Sequence, residues 1–285
     1  MSQKVFYNGQ IEDAKKFSYL LNNRAFRYGD GLFETIRVYN GRPLFKELHH
    51  KRLTAGLSVL KIKAPEADAL YFFDTLQNII AAQNIKSGGR IRYSVWRTSG
   101  GYYTPNSDCG VSLVEAQHLP QNAFELNEKG FLISIYKEIT KPCTLLSPFK
   151  NPYAQLHVMA GMHKREPGWE TVLINQQNNL CEGISSNIFI LKDNILLTPA
   201  PDQACVKGIM RQVIIENLAA VLNLKTIETQ ISELDLQNAD EVFFTNAIQG
   251  VRWALGFEKK RYYNTLSRKI TGVLNEFAKD YNTSR

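Results

Sequence analysis

The segment from residue 187 to residue 222 has the pattern of a strand, a loop and a helix in direct succession. Asn187–Leu191 is a β-prone apolar run, and an amphipathic helical pattern begins near Gly208 after a loop that contains proline and glycine. The first N–H groups of a helix have no intrahelical partner and lie at its positive end, which suits a phosphate, and glycine lets an anion approach closely. Such a junction is more often plain architecture than an anion site, so its meaning depends on the rest of the chain.

Composition indicates an ordinary globular protein of one large or two medium domains. The chain has 285 residues, of which 44% are hydrophobic and 21% charged. Its first residues lack the apolar core of a signal peptide, and no apolar run approaches the length of a membrane span. We therefore predict a cytoplasmic protein with no membrane partner.

Cysteines and charge exclude two further classes of function. Cys109, Cys143, Cys181 and Cys205 are widely spaced without a CxxC pair, so neither a metal site nor a disulfide scaffold is expected. The formal net charge is +7, but the basic residues are scattered and form no block. The pattern argues against a nucleic-acid partner, whereas a modest basic excess suits anionic substrates and cofactors.

Hydrophobic periodicity predicts an α+β chain with segregated strands and helices. An Asn40-Gly41 pair after the alternating run Leu32–Tyr39 is a strong hairpin signal. The predicted helices are 45–60, 67–84, 154–163, 209–222 and 266–277, and the predicted strands are 5–10, 32–39, 91–96, 111–114, 131–136, 171–175, 187–191 and 241–245. The polar, proline-containing stretch His118–Asn122 is the expected linker, which divides the chain into domains 1–118 and 119–285.

Four motifs in order carry a family resemblance over nearly the whole chain. They are RYGDGLFET at 27–35, HHKRL at 49–53, EGISSNIF at 182–189 and KGIMR at 207–211. Together they resemble the fold type IV enzymes that use pyridoxal phosphate (PLP), a group that includes branched-chain and D-amino-acid aminotransferases and 4-amino-4-deoxychorismate lyases. The resemblance implies a two-domain fold of the D-amino-acid aminotransferase type, with a smaller α/β N-terminal domain, a larger C-terminal domain around a barrel-like sheet, and a homodimer.

The resemblance also implies two catalytic residues. Lys150 occupies the position of the lysine that holds PLP covalently and moves protons at the substrate carbon. Glu182 occupies the position of the carboxylate that keeps the pyridine nitrogen protonated. A member of the family that had lost its chemistry and served as an interaction module would lack one of these residues, and both are present.

Further residues are implied for the cofactor and its phosphate. Arg52 would give the phosphate a bidentate contact, and Gly208, Ile209 and Met210 the helix N-terminus. Ala247 and Ile248 occupy the position of a second phosphate-binding turn, and Asn187 that of a further cofactor residue. Aminotransferases often carry hydroxyl residues at positions 210 and 247–248, whereas deoxychorismate lyases tend to lack them, as this chain does.

The expected substrate-binding residues lie in three places. Phe33 and Thr35 lie at the end of the first motif, and Tyr153 stands where the family often has asparagine. Arg97 and Tyr102 belong to a loop, 97–106, that is similar to the Arg-x-Ser-Gly-Gly loop of deoxychorismate lyases. From the residue chemistry, Arg97 could hold a substrate carboxylate, while a tyrosine-rich loop without any ligand is also common.

Two reactions are compatible with this set of residues. A 4-amino-4-deoxychorismate lyase would release pyruvate and 4-aminobenzoate for folate synthesis. A class IV aminotransferase would pass an amino group from a branched-chain or D-amino acid to 2-oxoglutarate. We predict the lyase, with the aminotransferase as the alternative, because loop 97–106 and segment 202–212 are more similar to lyases.

Overall fold

Two sheets, each with its own core, organise the chain. The computed structural model describes residues 4–13, 23–164 and 166–283. One unit comprises Met1–Ala123, Phe149–Tyr153 and Ala278–Arg285, and the other comprises Phe124–Pro148 and Ala154–Phe277.

The first unit contains a six-stranded antiparallel sheet and three helices. Its strands are β1 (Lys4–Tyr7), β2 (Gln10–Asp13), β3 (Gly31–Tyr39), β4 (Arg42–Pro43), β5 (Gly89–Arg97) and β6 (Gly110–His118), and its helices are α1 (Arg24–Tyr28), α2 (Lys46–Leu60) and α3 (Ala69–Ala82). The strand order is β2-β1-β6-β5-β3-β4. The Asn40-Gly41 turn joins β3 to β4 with φ angles of 49° and 69°, which confirms the predicted hairpin.

Alternation along the strands gives this sheet two different faces. Side chains such as Ile36 and Ile91 pack into the core with Leu53 and Leu57 of α2 and Phe72 of α3. Residues one position away along β3 and β5 therefore lie on the opposite face, because successive strand side chains alternate. That opposite face carries Phe33 and Thr35.

The second unit is built on a nine-stranded mixed sheet. Its strands are β7 (Phe131–Lys141), β8 (Trp169–Asn175), β9 (Leu180–Gly183), β10 (Asn187–Lys192), β11 (Ile195–Pro199), β12 (Lys225–Thr229), β13 (Glu241–Asn246), β14 (Gly250–Phe257) and β15 (Lys260–Arg261). The order is β12-β11-β10-β13-β14-β7-β8-β9, with β15 paired to β14. The sheet curls, since β9 at one end of this order contacts β10 and β11, which agrees with the barrel-like sheet expected from the resemblance.

The helices of the second unit differ from prediction at two places. They are α4 (Gln155–His163), α5 (Ile209–Val213), α6 (Ala219–Val221), α7 (Glu233–Asn238), which was not predicted, and α8 (Thr265–Thr283), whose residues from Ala278 onward belong to the first unit. A π-helical segment, Ile214–Leu218, joins α5 to α6. The prediction of one regular helix over 209–222 is therefore wrong in its middle, because a π turn leaves the hydrophobic pattern almost unchanged.

The division into units also differs from the predicted boundary after residue 118. Arg37 Nη2 donates hydrogen bonds of 2.9, 3.0 and 2.9 Å to the carbonyls of Gln121, Asn122 and Ala123, which keeps these residues with the first unit. The short segment Phe149–Tyr153 also belongs to the first unit, because the Phe33 N–H donates to the Lys150 carbonyl at 2.9 Å. Contacts between residues far apart in sequence set both boundaries.

None of the described helices combines the length and the apolar character that crossing a membrane requires. Within the same residues, no cluster of three or more histidine, cysteine, aspartate or glutamate side chains is placed to hold a metal ion.

Candidate active site

A buried ion-pair network joins β3 to α2 in the first unit. Glu34 is 2% exposed, and its Oε1 accepts a hydrogen bond of 2.8 Å from Arg52 Nε while Arg52 Nη2 donates to Oε2. His49 Nδ1 lies 2.7 Å from Glu34 Oε2. The bidentate contact fixes the plane of the Arg52 guanidinium.

Electrostatics keep Glu34 ionised and His49 neutral. Burial acts to raise the pKa of Glu34, but the Arg52 charge and the hydrogen bonds from His49 and Arg52 outweigh it and lower the pKa to about 2. Burial lowers the pKa of His49. The hydrogen bond and charge of Glu34 act to raise this pKa, but the charges of Arg52 and Lys150 act in the same direction as burial, and the pKa stays below its usual value. The ionised Glu34 carboxylate therefore supplies the negative charge that holds the Arg52 guanidinium.

Lys150 lies beside β3 in the same unit. Its carbonyl accepts from the Phe33 N–H at 2.9 Å, and its Nζ lies 5.3 Å from the centroid of the Phe33 ring. The preceding Phe149 packs against the core of this unit beside Gly56, where a Cβ atom would lie 3.1 Å from Phe149 Cδ1. The backbone therefore positions Lys150 independently of what its amine does.

Glu182, on β9, is the centre of a second buried network. It is 4% exposed. Its Oε1 accepts from Lys141 Nζ, at the end of β7, and lies 3.3 Å from His157 Nε2 on α4. The Val206 N–H donates to Oε2 at 2.8 Å. Contacts from a strand, a helix and a loop thus orient this carboxylate.

The Glu182 network is arranged to hold a negative charge. Burial acts to raise the pKa of Glu182, but the Lys141 charge and the His157 hydrogen bond outweigh it and lower the pKa to about 2. A carboxylate that stays ionised at neutral pH can keep the proton of a ring nitrogen.

A cradle of backbone and small groups lies at the start of α5. Asn187, at the start of β10, donates from Nδ2 to the Val206 carbonyl at 2.8 Å and pairs across the sheet with Thr245. A Cβ atom at Gly208 would collide with Asn187 Oδ1, so glycine is required there. No side chain caps α5, and its first N–H groups have no intrahelical partner.

The hydroxyl of Thr245 adds a polar group to the same cradle. Thr245 Oγ1 is buried and has no hydrogen-bond partner among the described residues. A buried hydroxyl without a partner is costly unless a ligand supplies one. The uncapped helix start, the required glycine and this hydroxyl fit a bound phosphate.

The other four residues predicted to bind the phosphate lie in two places, at the start of α5 and in the turn after β13. Ile209 and Met210 are buried at the start of α5. Ala247 and Ile248 form the turn after β13, where the Ile248 N–H donates to Asn246 Oδ1 at 3.0 Å. The Asn246 side chain thus already engages one donor of the predicted second phosphate turn.

Arg97 is buried within the first unit and bonded to its loops, and its substrate role stays a prediction. Its side chain is 7% exposed, and Nε donates to Asp30 Oδ2 at 3.1 Å. Nη1 donates to the Lys61 carbonyl and to Asp108 Oδ1, and Nη2 donates to the Leu60 carbonyl. This guanidinium holds the loops of the first unit together and has little capacity left for a substrate carboxylate.

The other predicted substrate residues lie at the surface or on the open sheet face. Tyr102 and Tyr153 are 82% and 70% exposed, and the Tyr102 carbonyl accepts a hydrogen bond from the buried Arg24. Phe33 and Thr35 are partly buried on β3. Their roles toward a substrate stay predictions.

Arg97→Ala is expected to lower the free energy of unfolding by about 3 kcal/mol, the scale of a buried charge that loses its partner. Chemical unfolding monitored by circular dichroism measures this loss. Lys63→Ala serves as the control, because the exposed Lys63 amine lies 4.0 Å from the carboxylate of the same Asp108. Its loss is expected to change stability by less than about 1 kcal/mol. Wild-type stability in Arg97→Ala would contradict this structural role of Arg97.

Several site residues were not identified from the sequence. Lys141 and His157 reach Glu182 only through the pairing of β7, β8 and β9 and the packing of α4. Glu34 and His49 lie inside two of the recognised motifs, yet their pairing with Arg52 depends on the packing of α2 on β3. The spacing of His49 and Arg52, three residues apart on one helix face, was an available signal.

The comparisons with known proteins agree with this geometry. Residues 31–254 match the family model described as amino-transferase class IV. The chain belongs to the class IV aminotransferase family. This membership confirms the resemblance seen in the four motifs and the fold type IV architecture.

Relatives within the family carry different activities in their names. A Methanocaldococcus jannaschii protein, provisionally named a branched-chain-amino-acid aminotransferase, is 28% identical over 98% of this chain and 96% of its own. Aminodeoxychorismate lyase of Bacillus subtilis is 26% identical over 86% of this chain and 83% of its own. The crystal structure of 4-amino-4-deoxychorismate lyase from Pseudomonas aeruginosa has a TM-score of 0.82 and 25% identity, covering 95% of this chain and 98% of its own.

Proposed function

We propose that this protein is a PLP enzyme in which Glu182 holds the proton of the cofactor ring nitrogen. The observation that supports this proposal most directly is the buried Glu182 carboxylate, whose pKa of about 2 keeps it ionised at neutral pH. Two of its contacts, from Lys141 and His157, are to Oε1, and the third, from the Val206 N–H, leaves a lone pair of Oε2 for a further donor. Family membership and this charge support the same cofactor.

The phosphate of the cofactor is assigned to two sets of donors. Hydrogen bonds come from the first N–H groups of α5, after Gly208, and from the Thr245 hydroxyl, which has no partner among the described residues. Arg52 supplies positive charge, and its orientation is fixed by Glu34. Because Met210 and Ala247 carry no hydroxyl group, backbone donors supply most of the remaining contacts.

Lys150 is assigned the covalent attachment and the proton transfer. PLP, when bound, withdraws electrons from the substrate carbon next to the amino nitrogen. The Lys150 amine takes the proton from that carbon and can return it elsewhere. The Phe33–Lys150 backbone contact holds the lysine segment in place during this transfer.

The preferred reaction is release of pyruvate and 4-aminobenzoate from 4-amino-4-deoxychorismate. In it, Lys150 removes the proton from the amine-bearing ring carbon, the C–O bond to the enolpyruvyl group breaks, and the ring becomes aromatic. Met210 and Ala247 in place of hydroxyl residues support this assignment, as do the lyase relatives. Amino transfer is the second candidate, favoured by the relative with 28% identity over 98% of the chain.

A side-by-side assay is expected to show the lyase reaction. The purified protein receives 4-amino-4-deoxychorismate in one arm, with 4-aminobenzoate and pyruvate measured. The other arm contains leucine, isoleucine, valine or D-alanine with 2-oxoglutarate, with glutamate measured. We expect equal amounts of 4-aminobenzoate and pyruvate and little glutamate. Rapid glutamate formation without 4-aminobenzoate would establish the aminotransferase instead.

A homodimer in the cytoplasm completes the proposal. The homodimer is what the family resemblance implies. Light scattering of the active protein measures the oligomeric state, and a fully active monomer at assay concentration would contradict the homodimer.

A further inference from the structure

A partly buried ion pair in the second unit connects two turns of the proposed cofactor site. The first turn, residues 183–186, follows directly after Glu182 and leads into β10. The second turn, residues 246–249, joins β13 to β14. The ion pair consists of Glu170 on β8 and Arg252 on β14, with 3.6 Å between Glu170 Oε2 and Arg252 Nη1. Each member of the pair also contacts one of the turns.

Glu170 holds the first turn. It is 7% exposed, and its Oε1 accepts a hydrogen bond of 3.3 Å from the Ser186 hydroxyl. The turn is closed by the Gly183 N–H, which donates to the Ser186 carbonyl at 2.8 Å. A Cβ atom at Gly183 would lie 2.6 Å from Glu170 Oε1, so the glutamate packs directly on the backbone of the turn. The position of the turn therefore depends on this side chain.

Arg252 holds the second turn. Its Nη1 donates to Gln249 Oε1 at 3.3 Å. Within the turn, Asn246 Nδ2 donates to the same Gln249 oxygen at 3.1 Å, and Asn246 Oδ1 accepts from the Gln249 N–H at 2.8 Å. The Arg252 guanidinium carbon lies 3.7 Å from the centroid of the Phe131 ring, and this stacking restricts the guanidinium plane. Arg252 thus links Glu170 to the second turn from a fixed position.

The two members of the ion pair depend on each other. Burial raises the pKa of Glu170, whereas the Arg252 charge and hydrogen bonds from Ser186 and the Ile184 backbone act to lower it. Burial also lowers the pKa of Arg252, and the Glu170 charge opposes this effect. Removal of either charge therefore leaves the other partly buried without its opposite charge.

We propose that Glu170 and Arg252 are positioning residues that clamp the two turns at the separation PLP requires. PLP carries its ring nitrogen and its phosphate at separate positions of one rigid ring. Such a ligand binds tightly only where the groups that receive its two ends are held at the matching distance. Glu182 directly precedes the first turn and Thr245 the second. The inference rests on the proposed function, which assigns the ring nitrogen to Glu182 and a phosphate contact to Thr245.

The test compares a ligand that needs both turns with one that needs only the phosphate donors. 4′-Deoxypyridoxine 5′-phosphate has the ring and the phosphate of PLP but no aldehyde, so it forms no covalent bond with lysine. Isothermal titration calorimetry measures its affinity, and that of inorganic phosphate, for the full chain after dialysis against cysteine has removed PLP. We expect Glu170→Gln and Arg252→Gln each to weaken binding of the analogue about tenfold, the scale of coupling within one network, and binding of phosphate less than about threefold. Equal losses for both probes, or no loss, would overturn the clamp.

A double variant shows whether the two residues act as one device. Glu170→Gln combined with Arg252→Gln is expected to weaken binding of the analogue about tenfold, as either substitution does alone, because the clamp is lost only once. A loss of about a hundredfold, the product of two independent effects, would contradict the proposal. Arg261→Gln is the matched control, since Arg261 is exposed and its Nη1 donates to the carbonyls of Glu258 and Lys260. It should change neither affinity.

Two further readouts keep the outcomes distinct. Circular dichroism verifies that each variant is folded. If a charge variant is not, Gln249→Ala carries the test, because it removes the Arg252 contact with the second turn and keeps both charges. It is expected to weaken binding of the analogue about threefold, and unchanged binding would overturn the clamp. The visible absorption band that borohydride removes reports on PLP in the holoenzyme. A missing band in the wild type would reject the proposed function, whereas a normal band with unchanged analogue binding in the variants would reject only the clamp.

Discussion

Lys150→Ala should reduce turnover by about a thousandfold or more, because it removes both the covalent attachment and the group that moves the substrate proton. General acid–base catalysis by one positioned side chain is worth about 10²–10⁴-fold, and the loss of attachment adds to it. Turnover is measured with saturating added PLP, so that weaker cofactor binding does not account for the loss. A small primary amine in the assay should restore part of the activity.

The fold should survive this substitution. The Lys150 segment is held by its backbone carbonyl, which accepts from the Phe33 N–H, and by the packing of Phe149. Lys137→Ala is the matched control from the same part of the chain, since Lys137 makes a surface ion pair with Glu233 and is 61% exposed. Turnover within a few-fold of wild type in Lys150→Ala would show that another base performs the reaction.

Glu182→Gln is expected to lower turnover about a hundredfold while PLP still binds, on the scale of removing one preorganised electrostatic group. A neutral amide does not hold the ring nitrogen proton, whereas the phosphate contacts remain. The structure adds a second effect: Lys141 would be left buried without its carboxylate, at a cost of about 3–5 kcal/mol in the free energy of unfolding.

A double variant separates these two effects. Lys141→Met together with Glu182→Gln removes both charges, so much of the lost stability should return. Turnover should stay about a hundredfold below wild type, because the ring nitrogen still lacks its carboxylate. Recovery of turnover along with stability would mean that Glu182 serves only to neutralise Lys141.

The regular elements of this fold were largely predictable because their signals are local. The hairpin at Asn40-Gly41 requires two positive φ angles, and these residues tolerate them. Strands β3 and β10 follow from alternation or from a continuous apolar run. The short strands β9 and β12 were not predicted, since their four and five residues are too few for a clear pattern.

The site was predictable only where a motif marked it. Lys150 and Glu182 were assigned by order and spacing within a family, and their burial and partners came from the structure. The structural contacts of Arg97 were not predicted, because Asp30 is distant in sequence and Lys61 accepts through its backbone carbonyl, which no sequence pattern marks.

The most direct test of the account is the position of the reduced cofactor in wild-type protein. Sodium borohydride fixes PLP to its lysine, and trypsin then cuts after unmodified lysines but not at Lys141, which precedes proline. We predict a labelled peptide Glu138–Lys164, because modification of Lys150 blocks cleavage there. A labelled peptide Glu138–Lys150 would place the cofactor on Lys141, and protein without any label would contradict the PLP assignment.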